Sequence, residues 1–184
     1  MRLILKFVLL LFIVSCSTSE KNIDSYEVNT KLNLQYRKSR DGKFGKINKE
    51  DLNAFYTTLQ KELNVTVDTS KVLLINFMQK GRNCISQSLD PKIITNIEGI
   101  SNRMANNYNA SDLFVYTKES YIYPLEKSEA WILDNGFVKA NIFPSDQNCQ
   151  GFFIIRPDGK FYKYYGEDYF SVVKRLLESQ YWDF

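Results

Sequence analysis

Three cysteines, Cys16, Cys84 and Cys149, are the residues best suited to covalent chemistry in this 184-residue chain, which contains no histidine. Without imidazole the usual general base near neutral pH is missing, and so is the commonest metal ligand. Serine-histidine and cysteine-histidine hydrolysis are therefore excluded. What is left is thiol, carboxylate, lysine or tyrosine chemistry. Cys84 lies in Gly81-Arg82-Asn83-Cys84-Ile85-Ser86-Gln87, ahead of a helical pattern. A helix N-terminus and Arg82 would stabilise a thiolate there, and a structural half-cystine fits the same place. The sequence holds no phosphate-binding glycine loop, metal-spaced cluster, internal repeat or basic-aromatic patch. No cofactor, metal or nucleic acid is expected as a ligand. Charge agrees, since the formal +3 includes Arg2 and Lys6 of the leader, and the remainder is close to neutral.

That leader explains Cys16. Arg2 and Lys6 precede the uncharged run Phe7-Val8-Leu9-Leu10-Leu11-Phe12-Ile13-Val14, far shorter than the ~20 apolar residues needed to span a bilayer. Ile13-Val14-Ser15-Cys16 resembles the bacterial lipobox, in which a branched apolar, a variable and a small residue precede the cysteine that is lipidated. The resemblance implies cleavage before Cys16, acyl chains such as palmitate on its thiol, and a membrane-held protein outside the cytoplasm. Several acyl chains make attachment stable, at about 0.8 kcal/mol per buried methylene. Ser17 rather than an aspartate follows the cysteine, which in the enterobacterial sorting pattern favours the outer membrane.

The elements that position the other two cysteines come next. Residues 17–30 are mainly polar and read as a tether. Leu32-Asn33-Leu34-Gln35-Tyr36 alternates, and Arg40-Asp41-Gly42-Lys43 turns the chain toward Phe44 and Ile47, a short hairpin. Asn48 caps a helix from about Lys49, with Leu52, Phe55, Tyr56, Leu59 and Leu63 on one face. Val72 to Phe77 is an apolar run of strand formers, the expected core strand. Ile93, Ile94, Ile97, Ile100 and Met104 form a helical stripe closing near Asn106-Asn107, and Leu113 to Tyr116 is a second strand. Trp131, Ile132, Phe137, Val138 and Ile142 fit either a short helix followed by a strand or two strands. Phe152 to Ile155, the turn Arg156-Pro157-Asp158-Gly159, and Lys160 to Tyr165 form a hairpin. A closing helix follows with Tyr169, Val172, Val173, Leu176 and Leu177 on one side, and Glu167 and Asp168 near its start as capping or dipole residues.

Strand, helix, strand, crossover, hairpin and closing helix is the order of elements in the thioredoxin fold, and residues 71–180 resemble that family. The ending, Phe152 to Gly166, is similar to the last hairpin of extracytoplasmic thiol-disulfide oxidoreductases. The resemblance implies an α/β (α+β) three-layer sandwich around a central mixed sheet, here with an N-terminal extension. The implied layout is a signal peptide over 1–15, lipidated cysteine and tether over 16–30, a hairpin and helix extension over 31–70, and the thioredoxin-like domain over 71–184. It departs from the family where the chemistry lies. The family's CxxC keeps one cysteine, Cys84, with Gly81 or Gln87 where its partner would stand, and Gln150 occupies the place of the family's cis-proline. In that fold the loop before the hairpin lies beside the strand-to-helix junction, which implies that Cys84 and Cys149 meet in a disulfide. An oxidising compartment and two cysteines left after lipidation suit one bridge, contributing about 4 kcal/mol in the chain-entropy model.

The expected function is an envelope lipoprotein whose degenerate domain is a binding or accessory module, held to the membrane through Cys16 and meeting an envelope protein partner. Two other classes stay open. One is a thiol-disulfide oxidoreductase in which Cys84 attacks and Cys149 resolves; the other is a structural lipoprotein of unrelated α+β fold. The thioredoxin reading requires the strand from Val72 to lie beside the hairpin strand at Phe152. Tyr162, Tyr164, Tyr165, Tyr169 and Phe170 are expected to pack the core rather than form a ligand face. The sequons Asn64-Val65-Thr66 and Asn109-Ala110-Ser111 are irrelevant behind a bacterial leader.

Overall fold

A computed structural model describes residues 42–81, 91–120, 128–167, 169–179 and 182, all within the unit Leu34–Phe184. The leader, Cys16, the tether, the first arm of the expected N-terminal hairpin, and Cys84 with its flanking residues lie outside the described residues. In chain order the elements are β1 (Lys43–Lys46), α1 (Lys49–Leu63), β2 (Leu73–Met78), α2 (Pro91–Asn107), β3 (Ser111–Tyr116) and β4 (Trp131–Leu133). They continue as α3 (Phe137–Asn141), β5 (Gln150–Ile155), β6 (Lys160–Tyr165) and α4 (Phe170–Glu178).

One sheet takes the order β1-β6-β5-β2-β3-β4. The strands β2, β3 and β4 run parallel, β5 is antiparallel to β2, and the β5–β6 hairpin continues antiparallel to β1. The pairing that the thioredoxin reading requires is present, with Asn76 opposite Phe152 and Leu73 opposite Ile155. A β2–α2–β3 unit with a β5–β6 hairpin on the other side of β2 and a closing helix is a thioredoxin-like topology, extended by one strand at each edge.

All six residues of β2 are buried, as a strand covered on both faces requires. Its alternation assigns the layers. Leu73, Ile75 and Phe77 pack with Leu52, Leu59 and Leu63 of α1 and Val138 of α3. Leu74 packs with Val173 and Leu176 of α4, and Met78 with Ile94 and Ile97 of α2. Helix α1 starts as expected, since the Asn48 side chain accepts from the Asp51 N–H at 2.9 Å. It ends at Asn64, whose φ of 54° is left-handed; Asn109 after α2 has φ 51°. Both sequon asparagines thus serve local turns, a conformation asparagine tolerates.

Three expectations need correction. The buried stripe of α2 is Ile94, Ile97, Ser101 and Ala105, while Ile93 is exposed, because Ser101 is drawn inward by Asn76. Between Ser128 and Phe143 the order is strand then helix: β4 comes first, and the Asp134 carboxylate then accepts from the N–H groups of Val138 and Lys139 at 3.0 and 2.8 Å. Helix α4 has no acidic residue in its first turn, and Glu167 lies before the N-cap residue Tyr169; Asp168 lies outside the described residues. The aromatics behave as core, with the Phe152 ring 5.7, 5.6 and 5.3 Å from those of Tyr162, Tyr164 and Tyr169. No helix among the described residues is long and apolar enough to cross a membrane.

Candidate functional site around Cys149

The carboxyl end of β2 and the loop entering β5 meet at Cys149. Met78 lies opposite Gln150 in the sheet, and beyond the ladder the Gln79 N–H donates to the Cys149 carbonyl at 2.9 Å. Two residues later Gly81 rests directly on the backbone of Asn148, so closely that a Cβ there would stand 2.4 Å from the Asn148 oxygen. The exit of β2 therefore runs beside the pre-hairpin loop as far as Gly81. Cys149 is disulfide-bonded and only 8% exposed, and among the described residues it is the one cysteine.

The loop from Ser145 to Asn148 is held by side chains that sequence reasoning did not single out. Gln79, 2% exposed, points its amide into the loop, where Nε2 donates to the carbonyls of Ser145, Gln147 and Asn148 at 2.9, 2.9 and 3.1 Å. Its Oε1 accepts from the Lys139 ammonium at 2.7 Å. Three carbonyls on one side and an ammonium on the other leave one sensible orientation for the amide. Lys139 also reaches the Ser145 carbonyl at 3.1 Å and the Asp146 carboxylate at 2.7 Å. Helix α3 aims this lysine, and Asp134 fixes the start of α3. From the β6 side, the Tyr165 hydroxyl accepts from the Ser145 N–H at 3.1 Å. Burial raises the pKa of that phenol, and the nearby Asp146 charge pushes the same way against the Ser145 hydrogen bond.

The loop that leads into Cys149 is thus tied at the Ser145, Gln147 and Asn148 carbonyls, while Asp146 and Gln147 stay exposed. Asn148 is left-handed at φ 57°, and its carbonyl is taken by Gln79. Gln150, in the place of the family's cis-proline, opens β5, and no peptide bond among the described residues is cis. Among those residues no three of the types that bind metals converge. A signal for Gln79 existed only in its place, as a polar residue directly after a buried strand; Lys139 lay in the stretch whose elements were ambiguous.

No protein-family model matches the chain, and no curated protein sequence matches it. Among solved structures it is similar to BsSco, a member of the Sco family of cytochrome c oxidase assembly proteins in which a disulfide switch was identified. The identity is 13%, over 60% of this chain and 80% of that one, with a TM-score of 0.35. The fold assignment rests on strand order and pairing, and this likeness adds no argument to it.

Proposed function

We propose that this chain is a lipid-anchored module of the bacterial cell envelope, cut before Cys16 and tethered through it. Its thioredoxin-like domain serves binding or accessory work, without CxxC dithiol exchange, and a Cys84–Cys149 bridge stabilises it. The observation that carries the reading is the state of Cys149: disulfide-bonded, 8% exposed, behind a loop tied at three carbonyls to Gln79. Thiol-disulfide exchange needs an attacking thiolate with access to a sulfur, and the burial of Cys149 narrows that access at one end of the bridge. The pairing with Cys84 is supported by reach. Gly81 touches Asn148, and the three residues from Gly81 to Cys84 extend up to roughly 10 Å.

The test is the reduction potential of the full-length protein in mild detergent, by thiol labelling and mass spectrometry across a thiol-disulfide redox series. A Cys84–Cys149 peptide with a potential below about −300 mV is the expected result. A bridge reducing between about −270 and −120 mV, the range of exchange proteins, would make the chain a thiol-disulfide oxidoreductase with Cys84 as nucleophile and sink the module reading. Anchoring has its own check. Cys16→Ser is expected to abolish incorporation of labelled palmitate and release the protein from membranes in fractionation; a variant that stays labelled and pelletable refutes lipidation at Cys16.

A further inference from the structure

We infer that Asn135 is a self-modification site, converted by attack of the Gly136 nitrogen to aspartate and isoaspartate, and that the carboxylate so formed loosens α3 from the end of α1. Asn135-Gly136 stands between Asp134 and α3, and both residues are exposed. The Asn135 Oδ1 accepts from the Phe137 N–H at 3.2 Å. This Asx turn closes a ring that contains both Cγ and the Gly136 nitrogen, and the donor polarises Cγ toward a nucleophile. Among the described residues the Gly136 N–H has no acceptor, so losing its proton breaks no hydrogen bond. Glycine has no Cβ to obstruct the approach, and the space a Cβ would take at Gly136 is open, with nothing within 4 Å. In the reaction the Gly136 N–H gives its proton to hydroxide and its nitrogen bonds to Cγ, while the Cγ–Nδ2 bond breaks and Nδ2 takes a proton from water to leave as ammonia. Water then opens the imide at either carbonyl, and nothing is oxidised or reduced.

The loss of Nδ2 matters because of what it holds. It donates to the Glu62 carbonyl at 3.1 Å and to the Glu62 carboxylate, joining the entry of α3 to the last turn of α1. After conversion a carboxylate with no hydrogen to give faces the Glu62 carboxylate and the carbonyls that end α1, where the helix dipole disfavours negative charge. Opening to isoaspartate also inserts a methylene into the main chain directly after Asp134, whose carboxylate holds the N–H groups of Val138 and Lys139.

The test is to hold full-length protein in mild detergent under mildly alkaline native conditions and follow its asparagine peptides by mass spectrometry. Conversion at Asn135 is expected to run at least about tenfold faster than at Asn64, before Val65, or at Asn109, before Ala110, with isoaspartate among the products. Conversion only in urea overturns the proposal, because the native fold would then lock the side chain. Aspartate without isoaspartate overturns it too, since water and not Gly136 would be the nucleophile. Asn135→Asp tests the consequence by fixing the charge of the product. Its urea midpoint is expected to fall below that of wild type, and the fall to shrink by about half or more in a Glu62→Gln background. Should the substituted protein fold poorly, the converted fraction of wild type, separated by charge, supplies the same midpoint. An equal fall in both backgrounds, or none in either, refutes the loosening of α3 from α1.

Discussion

Asp112→Asn is expected to flatten the pH dependence of unfolding between about pH 4 and pH 7 and to make the protein more stable than wild type at pH 8. Asp112 faces the α2 and α4 layer in a polar cluster set into apolar packing. Its Oδ1 accepts from Asn76 Nδ2 at 2.6 Å and from the Ser101 hydroxyl at 3.1 Å. Asn76 in turn donates to Ser101 at 2.9 Å and accepts from the Tyr169 hydroxyl at 2.8 Å. The other carboxylate oxygen, Oδ2, is buried without a partner. Burial therefore outweighs the two hydrogen bonds and pushes the carboxyl pKa up to about 7. Tyr169, the other ionisable group in the cluster, is shifted upward too, by its burial and then by the Asp112 charge. Because the folded pKa lies above the unfolded one, the native state holds the extra proton across this window. Stability is thus greatest below about pH 4 on this account and is lost as pH rises to about 7, by at most about 4 kcal/mol and by less where water reaches the residue. Asparagine keeps the acceptor at Oδ1 and has no charge to bury. Urea unfolding of both proteins from pH 4 to pH 8 reads the effect directly, and equal slopes against pH in the two would refute it.

The same cluster shows what a sequence can and cannot disclose. Leu52, Leu59 and Leu63 were legible because a helix against a sheet repeats its apolar face every three to four residues, and Asn48 because a cap is a local contact. The hairpin was legible through Asp158-Gly159, where φ of Gly159 is +83°, a torsion that glycine adopts without strain. Ser101 hid the true face of α2, because a serine is buried only where a partner waits, and Asn76 is 25 residues away. Strand β4 has three residues, too few to display a period. At the candidate site, Cys149 was visible by residue type alone. Gln79 and Lys139 were not, since Gln79 finds its loop carbonyls 66 to 69 residues along the chain and its ammonium partner 60 residues along. Separations of that size leave no pattern in a single sequence.

Gly81→Ala is expected to lower stability by about 2–4 kcal/mol and to disturb the Cys149 loop, an effect far larger than one methyl group suggests. Gly81 does not owe its identity to torsion, as the glycines with left-handed φ are Gly136, Gly159 and Gly166 among the described residues. It is space that excludes a side chain: a Cβ would stand 2.4, 2.6 and 2.9 Å from the oxygen, carbonyl carbon and nitrogen of Asn148. All three are backbone atoms and cannot swing aside. Nor can Asn148 retreat cheaply, because its carbonyl is bound by Gln79 Nε2 and that of Cys149 by the Gln79 N–H. Relief must come by lifting the loop from the end of β2, which breaks those bonds and moves the disulfide. Gly99→Ala supplies the contrast. That glycine lies within α2, where a Cβ would meet only the end of the Arg103 side chain at 3.4 Å, and alanine there should add about 0.5–1 kcal/mol through helix propensity. Denaturant midpoints of the two variants should therefore move in opposite directions from wild type for Gly99→Ala and Gly81→Ala, with labelling of Cys149 after a fixed exposure to dithiothreitol under native conditions raised in Gly81→Ala alone. Were Gly81→Ala to unfold and label as wild type does, the contact between the β2 exit and the Cys149 loop would not be the constraint described, and the short path from Gly81 to a bridge at Cys149 would lose its support.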